Sequence, residues 1–215
     1  MYENYTSLMD FRDQLVAVTG GAGLIGSEIV ACFCAHGANV ILLDTDTQIG
    51  MQIAVDAAKL GGSCRFHQLD LSDVESIPSN VKELEQSYGE FFSWVNCAYP
   101  RTSDWNTLLE EVSPESWQRN VNMHLNSYCI ISVEITKRMA SRGIGSIVNI
   151  GSIQGHVAPD FSIYQGTGMT SPAAYTAIKG GVRMFSRYLA SYYGKQNVRV
   201  NVVSPGGVTN RQPKN

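Results

Sequence analysis

"QLVAVTGGAGLIGSEIV", from Gln14 to Val30, changes character at its centre. A short apolar run rich in Val leads into a turn carrying Gly20, Gly23 and Gly26, and the chain then continues with helical periodicity. The three glycines allow a tight turn, close backbone approach and close packing of the following helix. A helix N-terminus presents unpaired N–H groups and the positive end of its dipole, so this turn predicts a phosphate cradle that includes Leu24 and Ile25 at the helix start. The next apolar run, "NVILLD" (39–44), ends on Asp44. An acid at that distance from the glycines accepts both ribose hydroxyls of an adenosine and repels a 2′-phosphate. No Arg or Lys follows in "DTDTQIG", so NAD(H) is expected over NADP(H).

The same alternation continues along the chain. Strands are predicted at 14–20, 39–44, 64–71, 91–98, 145–152 and 198–205, with helices near 24–36, 48–60, 79–88, 115–142 and 173–193. Strands without strict alternation, each followed by a helix, fit a parallel sheet covered on both faces. Right-handed crossovers then give a doubly wound, Rossmann-type α/β fold with strand order 3-2-1-4-5-6. No repeat or linker divides residues 1–215, which are expected to form one domain.

Composition limits the function. A net charge of −3 without a basic stripe gives no case for nucleic acid, and the apolar runs are too short to cross a membrane. The N-terminal "MYENYTSLMDFRDQ" lacks an export signal, and five dispersed cysteines without a C-x-x-C pair fit reduced thiols; a cytoplasmic location is expected. Four histidines show no ligand spacing, so no metal is expected.

"SPAAYTAIKGG" (171–181) places Tyr175 and Lys179 one helical turn apart. A nearby ammonium favours the phenolate, moving a phenol from its ordinary pKa of about 10 towards working pH, where it can exchange a proton. An isolated pair of this kind is more often a surface Tyr beside a solvated Lys; the surrounding motifs decide between the two.

Those motifs resemble the short-chain dehydrogenase/reductase family from Thr19 to about Gly207. The glycine turn is spaced T-G-x-x-G-x-x-G. "LDLSD" resembles the adenine-contacting segment, with Asp70 and Leu71. "NCAY" is similar to the family's N-N-A-G element, in which Asn96 steadies the central strand and, with Ala98, contacts the cofactor; Tyr99 stands where the family has Gly. "NVNMH" supplies Asn122 as the catalytic Asn, "NIGS" supplies Ser152, and "YTAIK" supplies Tyr175 and Lys179. "SPGGV" resembles the turn beside the nicotinamide, with Pro205, Gly206 and Val208. Asn210 takes the place of the usual Thr, with Thr209 one position early.

The resemblance implies hydride transfer between NAD(H) and a carbonyl or secondary alcohol. Tyr175 is the proton donor or acceptor, Lys179 its electrostatic support and ribose contact, Ser152 the partner of the substrate oxygen, and Asn122 the holder of a water linking Lys179 to solvent. It also implies a homodimer or homotetramer through the helices near 115–142 and 173–193. Family members usually continue through a substrate-covering segment and a seventh strand, so the chain is expected to be C-terminally incomplete.

A long interval between Ser152 and Tyr175 carries Asp160, Tyr164, Gln165, Thr167 and Thr170, which suit a hydroxylated small-molecule substrate, unless the segment only braces a loop or a subunit contact. "NCAYPR", "IYQGTGMTSPAAYTAIK" and "SPGGVTNRQP" resemble bacterial oxidoreductases of flagellin modification and surface-sugar pathways. A sugar-related substrate is therefore expected. The alternatives are a sugar-nucleotide epimerase or dehydratase, prompted by "TGGAGLIGS", a 3-oxoacyl reductase, which Asp44 disfavours, and a non-catalytic NAD-binding scaffold.

Overall fold

The structure, a computed structural model, describes residues 9–208. Thr209 and Asn210, beyond the proposed nicotinamide turn, lie outside the described residues. Six parallel strands, β1 (Leu15–Thr19), β2 (Asn39–Asp44), β3 (Ser63–Gln68), β4 (Ser93–Asn96), β5 (Gly145–Ile150) and β6 (Val198–Val203), lie in the order β3-β2-β1-β4-β5-β6. The helices are α1 (Leu24–Ala35), α2 (Thr47–Ala58), α3 (Ile77–Tyr88), α4 (Pro114–Asn120), α5 (Ser127–Arg142) and α6 (Ala173–Tyr193).

Each central strand is apolar on both faces because each face is covered. Val16 and Val18 of β1, with Val40 and Leu42 of β2, pack against Val30 and Cys34 of α1 and Ala57 of α2. Ala17, Ile41, Trp94 and Ile147 point the other way, onto Val81 and Leu84 of α3, Ile131 and Ile135 of α5 and Leu189 of α6. Successive residues of a strand alternate between faces, so a continuous Val/Ile/Leu run serves both cores at once. From β1 the strand order runs one way to β2 and β3 and the other way to β4, β5 and β6. That reversal opens a crevice at the carboxyl ends of β1 and β4.

The strands stop earlier than their apolar runs. β3 ends at Gln68, β4 at Asn96, β5 at Ile150 and β6 at Val203, because the residues beyond turn out of the sheet. Several of these, including Leu69, Asp70, Leu71, Cys97, Ala98, Gly151 and Pro205, line the crevice. The helix predicted over 115–142 is interrupted. Between α4 and α5, Val121–Asn126 form a π-helical segment, a wider turn that commonly accompanies functional sites.

Caps and a buried polar bracket fix the frame. Asp46 accepts from the Ile49 N–H at the start of α2, and Ser113 from the Ser116 N–H at the start of α4. Asn96 is fully buried; its amide donates to Asn149 Oδ1 (2.7 Å) and Ser132 Oγ (3.1 Å), and its Oδ1 accepts from Trp94 Nε1 (2.9 Å). Asn149 in turn donates to Ser186 Oγ at 2.8 Å. One side chain thus ties β4 to β5 and α5, with α6 joined through Asn149.

Candidate active site

The crevice is a cleft of about 830 Å³. Gly20, at the end of β1, has φ of +67°, and a Cβ there would come within 2.5 Å of Ala98 Cα. Glycine therefore lets the first turn lie against the backbone leaving β4. α1 starts from Gly23 without a side-chain cap and without an acid in its first turn. Its positive end opens into the cleft beside Leu24, Ile25 and Gly26. This is the cradle a pyrophosphate requires.

Asp44 also borders the cleft. Its Oδ2 accepts from the Ala22 N–H at 2.9 Å and its Oδ1 from the Asp46 N–H at 3.1 Å. The carboxylate thus pins the glycine turn to the end of β2 while keeping lone pairs for a ligand. Asp70, Leu71, Ala98, Pro205, Gly206 and Val208 line the same cleft. Asn96 does not: it sits beneath the floor, as the bracket between strands.

At the other end of the cleft stand Tyr175 and Lys179, both on α6. The Lys179 ammonium is buried and donates to the Ile150 carbonyl at 2.8 Å. It lies 5.7 Å from the centre of the Tyr175 ring and 5.2 Å from that of Tyr128. Burial pulls its pKa down to about 8, against a smaller upward pull from Cys97. Ser152 follows β5 and is buried, its hydroxyl accepting from the Gln154 N–H at 3.1 Å.

Asn122 is not brought to this group. It is exposed, and its Oδ1 accepts from Asn126 Nδ2 at 2.9 Å. The π-helical turn instead buries His124 completely, with neither ring nitrogen hydrogen-bonded. Burial, and secondarily the charge of Lys179, push its pKa well below 6.5. Sequence reasoning missed this residue because a linear motif does not reveal a change of helical pitch.

It also missed an aromatic wall. The Tyr99 ring meets Trp105, His124 and Tyr175 edge-on, with centroids 5.8, 5.3 and 5.6 Å away. Its hydroxyl accepts from Trp105 Nε1 at 2.7 Å, and burial raises its pKa to about 12. The departure from Gly at position 99 was the available signal. Arg101 stacks over the outer face of this ring, 4.9 Å from its centre, and lines the cleft.

The segment between Ser152 and Tyr175 contributes selectively. Tyr164 and Thr170 reach the cleft. Asp160 caps its own turn through the Ser162 N–H, and Thr167 donates to the Tyr164 carbonyl. Gln165 is not among the lining residues. Gln154 and Ser171, joined by a 2.7 Å hydrogen bond, line the cleft instead.

Known proteins share this chain's sequence pattern and fold. Residues 14–214 match the short chain dehydrogenase family. "Post-translational flagellin modification protein A" of Campylobacter coli is 27% identical over 206 residues, covering 94% of this chain and 79% of that protein. "Probable galactose dehydrogenase" of Rhizobium meliloti is 32% identical over 205 residues, covering 94% and 75%. The solved NAD+-bound xylitol dehydrogenase superposes with a TM-score of 0.79 at 21% identity, over 91% of this chain and 71% of that one, and so shares the fold. The cleft, the strand order and the match across nearly the whole chain agree: this chain belongs to the short-chain dehydrogenases.

Proposed function

We propose that the protein is an NAD(H)-dependent oxidoreductase that interconverts a carbonyl and a secondary alcohol on a small, hydroxylated, sugar-related metabolite. The observation that carries this reading is the shared cleft. Tyr175 and Lys179 open onto the same cavity as an uncapped helix N-terminus and Asp44.

Gly20, Gly23 and the start of α1 would hold the pyrophosphate, Asp44 the adenosine ribose, and Pro205, Gly206 and Val208 the nicotinamide end. When bound, the nicotinamide supplies hydride exchange. Tyr175 delivers a proton to the substrate oxygen in reduction and removes one in oxidation. Lys179 stabilises the phenolate by its charge. Ser152 offers a hydroxyl to the same oxygen, offsetting charge that develops there. Tyr99 and Trp105 pack edge-on against the Tyr175 ring and hold it in place.

Asp44 supports NAD(H) over NADP(H), since its carboxylate, fixed at the end of β2 by two backbone N–H groups, disfavours a 2′-phosphate beside it. Tyr164, Thr170, Gln154 and Arg101 at the rim supply donors and acceptors for hydroxyl groups. The names of the two relatives point the same way, one to flagellin modification and one to galactose oxidation.

The test is NADH and NADPH binding by fluorescence, followed by a turnover screen over keto-sugars, aldoses and sugar acids. Tighter NADH binding and sugar turnover support the reading. Preference for NADPH, or turnover confined to acyl thioesters, would overturn its cofactor or substrate half.

A further inference from the structure

The charges lining the cleft are divided between its two ends. Asp44, Asp46 and Asp70 stand beyond β2 and β3, on one side of the point where the strand order reverses. Arg101 stands beyond β4, on the other side, where Tyr175 and Lys179 also open. Among the described residues that line the cleft, Arg101 and Lys179 carry the positive charge. Lys179 is buried and donates to the Ile150 carbonyl, which leaves Arg101 as the exposed cation. No carboxylate among the described residues lies within ion-pair distance of it. An unpaired arginine on an open surface needs only water. One that lines a ligand cleft, with the acids gathered at the opposite end, favours a negative group there.

The place of Arg101 is fixed from both sides. Pro100 restricts the backbone before it. After it, the Thr102 N–H donates to Asn120 Oδ1 at 3.0 Å, and the Asn120 amide donates to Thr102 Oγ1 at 2.7 Å, which ties the loop to α4. The guanidinium lies over the Tyr99 ring, 4.9 Å from its centre. That ring is pinned in turn by Trp105 Nε1, 2.7 Å from its hydroxyl, and meets Tyr175 edge-on at 5.6 Å. One aromatic ring therefore sets both Arg101 and Tyr175. A small metabolite whose reacting oxygen meets Tyr175 can reach the guanidinium with its other end. Contact through an aromatic face does not consume the N–H donors of an arginine, so they stay available to a ligand.

We propose that the substrate of this cleft is a sugar acid and that Arg101 selects it by binding its carboxylate. This deepens the reading of the Tyr175 end as the place of carbonyl–alcohol exchange, and rests on it. A carboxylate matches two parallel N–H groups of one guanidinium, and its single charge is balanced by one arginine. A phosphate monoester carries close to twice that charge and finds no second exposed cation among the described residues of the cleft.

The experiment measures NAD+-linked oxidation of gluconate, galactonate, glucose, galactose and glucose 6-phosphate by the full chain, by Arg101→Gln and by Arg101→Lys. Binding of each compound to the NADH complex is followed by calorimetry. The wild type should favour the acids over the matching neutral sugars in kcat/KM. Arg101→Gln should lower that ratio by about tenfold or more, through KM rather than kcat. Arg101→Lys should recover part of it, because the charge remains but the planar fork is lost. Added salt should raise KM for the acids in the wild type and not in Arg101→Gln. NADH affinity should be the same in all three proteins, which separates a substrate contact from a grip on the cofactor phosphates.

An acid-to-neutral ratio unmoved by Arg101→Gln, a preference for neutral sugars, or no binding of either acid would overturn the proposal. So would a loss of NADH affinity in Arg101→Gln, which would place the guanidinium on the cofactor. A preference for glucose 6-phosphate that Arg101→Gln abolishes would overturn the carboxylate and make the bound anion a phosphate. Arg101-dependent binding of the acids without turnover would remove the oxidoreductase reading and leave the Arg101 contact standing; turnover of neutral sugars alone would do the reverse.

Discussion

Replacing Asn96 by Ala separates two roles a residue at the end of a central strand can have. The substitution orphans the Trp94 indole N–H, which is fully buried, and leaves Asn149 Oδ1 with only a long 3.5 Å contact to Ser132 Oγ. A buried donor without a partner costs about 1–3 kcal/mol, and the lost neutral hydrogen bonds add about 1 kcal/mol each before relaxation. The expected loss is therefore about 3 kcal/mol, which for a domain of this size lowers Tm by roughly 6–12 °C. Urea unfolding should show the loss at unchanged m-value. NADH affinity, measured well below the transition, should stay within about twofold, since Asn96 lies beneath the cleft floor. A stability loss under about 1 kcal/mol, or a tenfold loss of NADH affinity in the folded variant, would refute the bracket and restore Asn96 as a cofactor contact.

Four other outcomes are expected. Tyr175→Phe should keep NADH binding and lose at least 10²-fold in kcat, read by single-turnover kinetics; near-parent turnover would assign the proton transfer elsewhere. Gly20→Ala should destabilise the fold and weaken NADH binding, because the new methyl meets Ala98 at a backbone angle L-residues avoid; a neutral effect in thermal melts would contradict the close approach. His124 stays neutral in the native state while an unfolded imidazole takes up a proton below about pH 6.5, so stability should fall as pH drops from 6.5 to 5. That slope should be shallower in His124→Leu, as chemical denaturation at each pH would register. Asp44→Ala should bring the NADH and NADPH dissociation constants closer together, measured by titration calorimetry; an unmoved ratio would remove Asp44 from cofactor choice.

The sheet was legible because covered parallel strands need continuous apolar runs, and "VAVT", "NVILLD" and "SIVNI" have no other economical reading. The glycine turn and Asp44 were legible for a related reason: backbone sterics and charge act locally and leave fixed spacings. Strand ends were less legible, since Leu69, Leu71 and Cys97 are apolar whether they extend the sheet or turn into the cleft. The exposure of Asn122 and the burial of His124 were not legible because the π-helical turn alters which side of the helix each residue occupies, and residue identity does not encode that pitch. The aromatic wall joins Tyr99 and Trp105 to Tyr175, residues far apart in sequence that only tertiary packing brings together.

Asp44 couples selectivity to scaffolding. The carboxylate that would discriminate against a 2′-phosphate is also the anchor holding Ala22, and with it the first turn, to β2. A lineage or an engineer seeking the phosphorylated cofactor therefore faces an asymmetric choice. Deleting the acid loosens the very loop that must grip the dinucleotide, whereas adding a cation at Thr45 or Thr47 leaves the anchor in place. Drift towards the other cofactor should proceed by gaining positive charge next door before giving up the negative charge, and the intermediates on that route would accept both.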